Sequence, residues 1–321
     1  MGPRFKTNLL EHTKAVGAWA RERAAHAVVD AVDFSLALRY EQRSLKLHAQ
    51  FVGRREGRQL AYFDVADHFA VGFVGWLPYK PQAWPLSLSK LVFKSAAREL
   101  GLRTPALWTD PATIDAPFLV KRSRGAFGDG MRGPFAPAEA AALSLAEGEY
   151  AEAFTWGRIA RAWYWCGRLA VLEAFEMPSV EGDGRSDYQA LLQRAGAEVP
   201  ADFAVLARLQ GVQPDDVLPA GQRVVCDYRY VSPYNPTLYA NHNLLPRAAG
   251  SPLAERFAAA GGAIWPLIPG APAQQAGFVL DAIVDAQGEP WFLELNSNAQ
   301  GHPDFYAPMF DTLFGLAPRE G

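Results

Sequence analysis

The C-terminal part of the chain carries three oxygen-bearing side chains at a spacing that suits a metal ion. Residues 277–284 and 290–296 are apolar and strand-like, and the polar turn 285–288 joins them as a hairpin. Asp281 falls on the first strand. Glu294 and Asn296 lie two apart on the second strand, so they project from one face. Oxygen ligands of this kind suit a hard cation such as Mg²⁺.

A hairpin whose polar residues simply face solvent is the competing interpretation. For Asp281 alone it is the simpler one. Glu294 and Asn296 are different, because they interrupt an otherwise apolar run that includes Leu295. A carboxylate buried there must be paired or must hold a metal.

A second segment places a lysine at the end of a strand and follows it with a glycine-rich loop. Residues 118–122 are strand-like and deliver Lys121, and the loop contains Gly125, Gly128 and Gly130. Glycines let the backbone approach a ligand closely, and their N–H groups can cradle phosphate oxygens. The loop matches neither the phosphate-loop pattern nor the dinucleotide fingerprint, and an exposed basic turn is the alternative.

Together, and in this order, these segments resemble the ATP-grasp superfamily. A helix that begins at Lys90 comes first, and the strand lysine Lys121 and its glycine-rich flap follow. The stretch from Glu152 to Gly157 is similar to the hinge pattern Glu-x-φ-φ-x-Gly. The metal hairpin closes the set, and its spacing resembles that of the D-alanine–D-alanine ligase branch. The resemblance covers residues 86–314 apart from about 176–223.

The resemblance implies an α+β chain with the ATP-grasp fold, in which two α+β subdomains grip ATP. A helix-rich or α/β pre-domain of uncertain type would occupy residues 1–85, before the ATP-grasp domain at 86–321. Within that domain, residues 86–150 would form the small nucleotide-covering subdomain. Residues 151–321 would form the metal- and substrate-binding subdomain, with an insertion near 176–223.

The resemblance also implies a role for individual residues. Two Mg²⁺ ions, for which Mn²⁺ can substitute, would be held by Asp281, Glu294 and Asn296. Lys121 and Arg229 are the expected catalytic residues. ATP would be bound by Lys90, Lys121, Arg124, Gly125, Gly128, Gly130, Glu152, Phe154 and Thr155. The substrate would meet Arg229, His242, Asn298, Gly301 and His302.

Two positions depart from the family pattern. Ile159 stands where many members have an acid that binds the ribose, and Val279 stands where many have an arginine that touches the phosphates. Another cation must supply that charge, and Arg229 and Arg223 are the candidates on the strand-like run before the hairpin.

The activity that the resemblance implies is an ATP-dependent carboxylate–amine ligase. It would form an amide or peptide bond through an acyl phosphate and release ADP and phosphate. The partners would be a small-molecule carboxylate and an amine, either amino acids or peptides, and a homodimer is left open. The alternatives are an ATP-grasp phosphotransferase, a cyclising ligase, or a nucleotide-binding protein without catalysis.

Composition excludes several other classes of protein. The 321 residues carry a net charge of −3 and are 50% hydrophobic, which argues against a general nucleic-acid binder and against a disordered chain. No segment approaches the ~20 apolar residues that span a membrane, and no signal peptide is apparent, so a cytoplasmic enzyme is expected. Cys166 and Cys226 are expected to be reduced core residues.

Periodicity and composition predict the elements that hold these residues. Residues 8–50 are rich in Ala, Leu, Arg and Glu and are predicted to be helical. Strands are predicted at 59–65, 69–76, 118–122, 149–154 and 224–230, and a hairpin at 158–175 that turns at 166–168. Further helices are predicted at 89–100, 137–145, 188–195 and 253–260. The proline-rich stretch 78–85 marks a boundary.

Overall fold

The computed structural model of the chain combines helices with antiparallel sheets. It describes residues 8–53, 61–125, 130–195, 199, 202–230, 232, 243–271, 273–298 and 301–317. The mixed α and β class expected from the sequence is confirmed. Within the described ranges, none of the helices has the length and apolar character needed to cross a membrane.

The N-terminal region is one helix followed by a five-stranded antiparallel sheet. Its elements are α1 (Asn8–Glu22), β1 (His26–Val29), β2 (Leu36–Tyr40), β3 (Arg43–Gly53), β4 (Ala61–Phe63) and β5 (Ala70–Leu77). The strand order is β1-β2-β3-β4, and β5 also pairs with β3. The two predicted strands at 59–65 and 69–76 are confirmed as β4 and β5. The helix predicted over residues 8–50 is wrong beyond Glu22.

The error has a physical reason that the sequence contains. In β2, the buried Leu36 and Leu38 alternate with the exposed Ala37 and Arg39. A period of two belongs to a strand with one buried face, and it outweighs the helix-favouring composition. Residues Glu41 and Gln42 form the turn between β2 and β3.

The second sheet holds the predicted strand lysine. Its order is β6-β9-β7-β8, all antiparallel, and α3 begins at Lys90 as expected. The predicted α-helix over 137–145 is instead a 3₁₀-helix, Pro137–Ala142. The remaining elements here are α2 (Pro85–Leu88), α3 (Lys90–Glu99), β6 (Leu107–Trp108), the 3₁₀-helix Pro111–Thr113, β7 (Phe118–Arg122), β8 (Arg132–Phe135) and β9 (Glu149–Ala153).

The third sheet contains both predicted hairpins. Its order is β11-β10-β14-β15, so the first strands of the two hairpins lie side by side. A bulge between Asp281 and Ala282 shifts the β14–β15 register. Its strands are β10 (Arg158–Trp165), β11 (Arg168–Glu176), β14 (Gly277–Val284) and β15 (Pro290–Asn296).

The described residues of 176–223, a range that the resemblance did not cover, contribute to a separate apolar core around Tyr188 and Leu192. The predicted helix at 188–195 is confirmed as α4, whereas the predicted strand at 224–230 is only three residues long. The elements are β12 (Ser179–Glu181), α4 (Tyr188–Arg194), α5 (Phe203–Leu209) and β13 (Arg223–Val225).

The last helices complete two cores. They are α6 (Leu245–Ala248), α7 (Pro252–Ile264), the 3₁₀-helices Trp265–Leu267 and Pro303–Phe305, and α8 (Tyr306–Phe314). One face of the third sheet packs on α7 and α3 through Tyr164, Phe278 and Phe292. The opposite face turns toward the N-terminal sheet, where Trp163 and Val279 join its core. Both cysteines are free: Cys226 is buried as expected, and Cys166 lies half-buried in a turn.

Gly157, the glycine of the hinge pattern, lies so close to the backbone of Val284 that a substitution there tests this packing. Gly157 has φ +153°, and a Cβ there would lie 2.1 Å from the carbonyl oxygen of Val284. We expect Gly157→Ala to lower the free energy of unfolding by about 3 kcal/mol or more, since overpacking and an unfavourable backbone each cost about 1–3 kcal/mol. Gly288→Ala is the control, because Gly288 has φ +78° but nothing within 4 Å of its Cβ position. Urea unfolding measures both, and equal losses would contradict the predicted contact.

Candidate active site

Four charged side chains form one row across the third sheet. Arg161 on β10 pairs in register with Glu173 on β11 and with Asp281 on β14. Asp281 in turn lies opposite Glu294 on β15. Residues directly opposite one another on neighbouring strands project from the same face. The order across the sheet is therefore acid, base, acid, acid, on the face that α7 does not cover.

Arg161 and Asp281 form the central ion pair of this row. Arg161 Nε donates to Asp281 Oδ1 at 2.5 Å and Nη2 donates to Oδ2 at 2.9 Å, so the pair is bidentate. Burial alone would lower the pKa of Arg161, but Asp281 reverses this and the pKa is raised. Burial raises the pKa of Asp281, Arg161 opposes the rise, and Glu294 adds to it. The guanidinium therefore stays charged beside two competing carboxylates.

Glu294 obtains its counter-charge from a different element. Lys90 Nζ lies 3.0 Å from Glu294 Oε2 and donates to the carbonyl oxygen of Gly125 at 2.8 Å. Burial would raise the pKa of Glu294, but Lys90, Lys121 and Arg161 lower it. Lys90 thus connects the start of the glycine-rich flap to the β14–β15 hairpin.

The hairpin geometry predicted from the sequence is present. Asn296 Nδ2 donates to Asp281 Oδ2 at 3.0 Å, and Asp281 and Glu294 are cross-strand neighbours. Three oxygen-bearing groups therefore converge at this edge of the sheet. Their role as metal ligands stays a prediction.

A divalent ion would fit this donor set only if further ligands completed its coordination. Asp281 and Glu294 supply two carboxylates, and Mg²⁺ is commonly held by one or two carboxylates together with substrate phosphates. Among the described residues, no three His, Cys, Asp or Glu side chains form a group that could hold a metal. A cation at this position would thus take its other ligands from an amide, water or a phosphate.

Two lysines share one fully buried glutamate beside the row. Lys121 Nζ lies 2.6 Å from Glu152 Oε1, and Lys94 Nζ lies 2.9 Å from Glu152 Oε2. Burial would raise the pKa of Glu152, but Lys121 and Lys94 lower it to about 2. Burial lowers the pKa of Lys94, and Glu152 opposes that effect. Lys121 keeps some exposure, at 12% of its side chain, whereas Lys94 has none.

An apolar row lies next to the charged one. Ile159 pairs in register with Phe175 and Ile283, two residues along each strand from Arg161, Glu173 and Asp281. Ile159 and Ile283 belong to a cluster with Phe154, to which α5 adds Leu206. Thr155 follows Phe154 and is half-buried. Ile159 therefore stands where the family pattern has an acid, and the side chains around it are apolar.

The remaining flap residues are partly described. Arg124 and Gly125 are exposed, and Gly130 has φ +72° beside the Arg122 side chain. Gly128 lies outside the described residues, as does His242. Their predicted roles in ATP and substrate binding stay predictions.

Arg161 is a buried cation of the charged row that the sequence analysis did not single out. Arg229, the predicted candidate, pairs instead with Asp202 at 2.7 Å and with Asp227 at 3.4 Å, and Arg223 donates to Ser179. The contacts that the structure gives for these two arginines do not include Asp281, Glu294 or Asn296. The available signal was a lone arginine between two alanines in an apolar strand, since a buried charge needs a partner.

A second buried network supports Arg161. Its guanidinium lies 3.8 Å from the ring centroid of Tyr230, a cation–π contact. Tyr230 donates its hydroxyl to Glu173 at 2.7 Å, and His302 Nε2 lies 3.3 Å from the other Glu173 oxygen. Tyr62 on β4 also lies within electrostatic reach of Arg161, Asp281 and Glu294, so the N-terminal sheet borders the site. Glu173, Tyr230 and Tyr62 were not predicted.

The predicted substrate residues have structural contacts of their own. Asn298 holds the backbone of Gln82 from both sides, accepting from its N–H at 2.7 Å and donating to its carbonyl oxygen. Gly301 donates its N–H to Val74 at 2.8 Å. His302 is buried against Trp163 and Glu173. A substrate contact by any of the three stays a prediction.

Comparison with known proteins gives structural likeness alone. No family model and no curated protein matches the chain. The solved structures that it resembles include a bifunctional glutathione synthetase from Pasteurella multocida (13% identity, TM-score 0.43, 95% of this chain and 44% of that one). They also include the D-alanine–D-alanine ligase from Helicobacter pylori (15%, 0.37, 73% and 62%) and the ATP-grasp ligase PsnB (13%, 0.36, 72% and 61%).

The fold resembles that of ATP-grasp ligases. One of them, the ATP-grasp ligase PsnB, belongs to the superfamily that the sequence resembles. At such low TM-scores and identities these matches carry no functional argument, and the chain spans under half of the glutathione synthetase. Function must rest on the side chains of the site.

The buried Glu152 predicts acid sensitivity. Its pKa falls from 4.5 to about 2 on folding, which corresponds to about 3 kcal/mol of stabilisation at neutral pH. Because the folded pKa is the lower one, this stabilisation is complete above about pH 4.5 and is lost as the pH falls toward 2. We expect the free energy of unfolding to fall across that window. The double variant Lys94→Met/Glu152→Gln should lose this part of the slope, and an unchanged slope would contradict the assignment.

Proposed function

We propose that the protein is an ATP-dependent carboxylate–amine ligase that releases ADP and phosphate. The observation that carries the proposal is the pairing of Arg161 with Asp281 and of Lys90 with the adjacent Glu294, with Lys121 within electrostatic reach of Glu294. Cations from a helix and from two sheets thus surround two adjacent carboxylates at one edge of the charged row. Such an arrangement suits a polyphosphate accompanied by a divalent cation.

The apolar row and the charged row would bind different parts of ATP. The apolar cluster of Phe154, Ile159 and Ile283 would take the nucleotide base. Lys90 and Lys121 would hold the phosphates, together with backbone N–H groups of the flap at Gly125 and Gly130. Lys121 can turn to a phosphate without stranding Glu152, because Lys94 stays paired with that carboxylate.

Asp281, Glu294 and Asn296 would hold Mg²⁺. When bound, the ion neutralises charge on the transferring phosphate. Lys90 lies beside Glu294 and is 19% exposed, so its side chain is free to move toward the anion that arrives with the metal. Arg161, held by Tyr230 and Asp281, would keep a fixed positive charge beside the reacting groups.

The reaction would proceed through an acyl phosphate. A substrate carboxylate attacks the γ-phosphorus of ATP, and ADP leaves. An amine then attacks the activated carbonyl carbon, forming the C–N bond and expelling phosphate, and the amine loses a proton. The protein's part is positioning and charge neutralisation, since phosphoryl transfer needs little covalent chemistry from side chains.

The alternatives differ in their products. A phosphotransferase would give ADP and a phosphorylated product without free phosphate, and a cyclising ligase would consume one substrate besides ATP. A binding protein without catalysis would bind ATP and release no ADP. Measuring ADP, phosphate and amide together separates these outcomes.

Removing the carboxylate of Glu294 tests the metal assignment. We expect Glu294→Gln to reduce ADP release by at least about 100-fold, because a neutral amide is a weaker ligand for Mg²⁺ and no longer complements Lys90. The fold should survive, since Glu294 is 28% exposed and Lys90 retains its bond to Gly125. Glu289→Gln on the same hairpin is the control, because Glu289 pairs with Arg256 away from the row. Undiminished ADP release by the folded variant would overturn the assignment.

A pair of arginine variants separates Arg161 from Arg229. We expect Arg161→Lys to lower kcat by about 100-fold, because lysine cannot bind Asp281 in bidentate fashion or stack on Tyr230 in the same way. Arg229→Lys should change kcat by less than about threefold, since its contacts are to Asp202 and Asp227. Steady-state ADP release, with the melting temperature as a check of folding, gives the comparison. The reverse ranking would restore Arg229 as the catalytic cation.

A further inference from the structure

The two residues that follow Asn296 attach a distant part of the chain to the end of β15. Asn298 accepts from the N–H of Gln82 at 2.7 Å and donates to the carbonyl oxygen of the same residue. Ser297 Oγ lies 2.7 Å from that carbonyl oxygen and 3.0 Å from Ser87 Oγ. Ser297, Asn298, Gln82 and Ser87 thus form a clasp between the end of β15 and the segment that leads to α3.

The carboxamide of Asn298 is suited to this position. A carboxamide offers both an acceptor and donors, so it can satisfy the N–H and the carbonyl of one residue together, as a neighbouring strand would. Asn298 Nδ2 also donates to Ser297 Oγ at 3.1 Å. Both polar atoms of Asn298 are therefore engaged within the protein, which favours a positioning role over the substrate contact expected from the sequence.

A short, packed segment connects the clasp to Lys90, eight residues after Gln82. The indole N–H of Trp84 donates to Gln82 Oε1 at 3.0 Å. Trp84 and Leu86 are buried in the apolar core that α7 and the third sheet share. Ser89 ends α2 and caps the first turn of α3. A displacement of Gln82 would therefore be transmitted to Lys90.

Lys90 is the residue at which this segment meets the flap. Its backbone N–H donates to the carbonyl oxygen of Ser123 at 2.9 Å, and its Nζ donates to that of Gly125 at 2.8 Å. Its Nζ also lies 3.0 Å from Glu294 Oε2. If the lysine moves from Glu294 to a phosphate, this ion pair no longer holds the start of α3 against β15. The clasp does not involve the lysine side chain, so it would persist.

We propose that Ser297 and Asn298 are positioning residues that hold the start of α3 against β15 when Lys90 turns from Glu294 to a phosphate. This inference rests on the proposed function and adds two residues to it. The clasp acts on the nucleotide only through Lys90. Its removal should therefore weaken nucleotide binding in a protein that has Lys90 and have little effect in one that lacks it.

A double-mutant cycle tests this dependence, because residues that act through one another give non-additive losses. Calorimetry measures the Kd of Mg·AMP-PNP, a nucleotide that is not hydrolysed. We expect a loss of about tenfold in Asn298→Ala and about 30-fold in Lys90→Met. The double variant should bind within about twofold of Lys90→Met. A loss of about 300-fold would mean that Asn298 acts independently of Lys90, for example through its neighbour Asn296, and would overturn the proposal.

Two further variants guard against a general loosening of the fold. Ser297→Ala deletes a single hydroxyl, and we expect a loss of about threefold that also disappears in the Lys90→Met background. Tyr79→Phe is the matched control, because the Tyr79 hydroxyl attaches the same proline-rich stretch to the third sheet by accepting from the Gly277 N–H at 2.7 Å. It should bind Mg·AMP-PNP within about twofold of wild type. A loss in Tyr79→Phe equal to that in Asn298→Ala would overturn a specific role for the clasp.

Amide hydrogen exchange without nucleotide tests the clasp itself. The Lys90 N–H, bonded to Ser123, should exchange at least about tenfold faster in Asn298→Ala or, if that variant does not fold, in Ser297→Ala. Its exchange in Tyr79→Phe should match that of wild type, and unchanged exchange in both clasp variants would overturn the proposal. Failure of wild type to bind Mg·AMP-PNP would overturn the proposed function as well, whereas additive binding losses would overturn the clasp alone.

Discussion

Two carboxylates that face each other on neighbouring strands set the main constraint on this structure. Asp281 and Glu294 occupy one cross-strand pair, and like charges in that position repel. Burial strengthens the repulsion, so cations must be brought to them. Arg161 from β10 pairs with Asp281, and Lys90 from the first turn of α3 pairs with Glu294. Lys121 from β7 in the other sheet pairs with Glu152 and lies within electrostatic reach of Glu294. The mutual placement of the two sheets and α3 thus depends on satisfying this pair.

The strand order of the third sheet places rows of side chains that differ in polarity on the same face as this carboxylate pair. β10 lies between β11 and β14, and every second residue on these strands points to the same face of the sheet. Successive rows of side chains on that face are therefore two residues apart. The rows run from the apolar Ile159, through the charged Arg161, to Trp163. A ligand that is apolar at one end and anionic next to it, like the nucleotide of the proposed function, would match the first two rows. The N-terminal sheet closes the far end and brings Tyr62 toward the charged row.

Local sequence patterns predicted the parts of the site that lie on one hairpin or one helix. The turn at 285–288, the pairing of Asp281 with Glu294, and the position of Lys90 at the start of α3 each follow from short-range spacing. Arg161 could not be assigned in this way, because it meets Asp281 across 120 residues of chain and only through the adjacency of β10 and β14. Nothing in the local sequence distinguishes Lys94 from other lysines on a helix. Its role depends on Glu152 of β9, with which it forms an ion pair in the fold. The β2–β3 hairpin is a different case, since its sequence carries both a strand-like alternation and a helix-favouring composition, and the alternation corresponds to the structure.

The charge balance of the site links its two proposed ligands to each other. Lys90, Lys94, Lys121 and Arg161 supply four positive charges, and Glu152, Glu173, Asp281 and Glu294 supply four negative ones, so the described cluster is neutral as it stands. A polyphosphate alone would add only negative charge beside Asp281 and Glu294. A divalent cation alone would have to displace Lys90 from Glu294 and share Asp281 with Arg161. If both bound together, Asp281 and Glu294 would hold the cation and Lys90 would be free to meet the phosphates, so each ligand would lower the cost of binding the other. Lys94 would limit the effect of this exchange on the rest of the core. It would still neutralise Glu152 if Lys121 moved toward the anion.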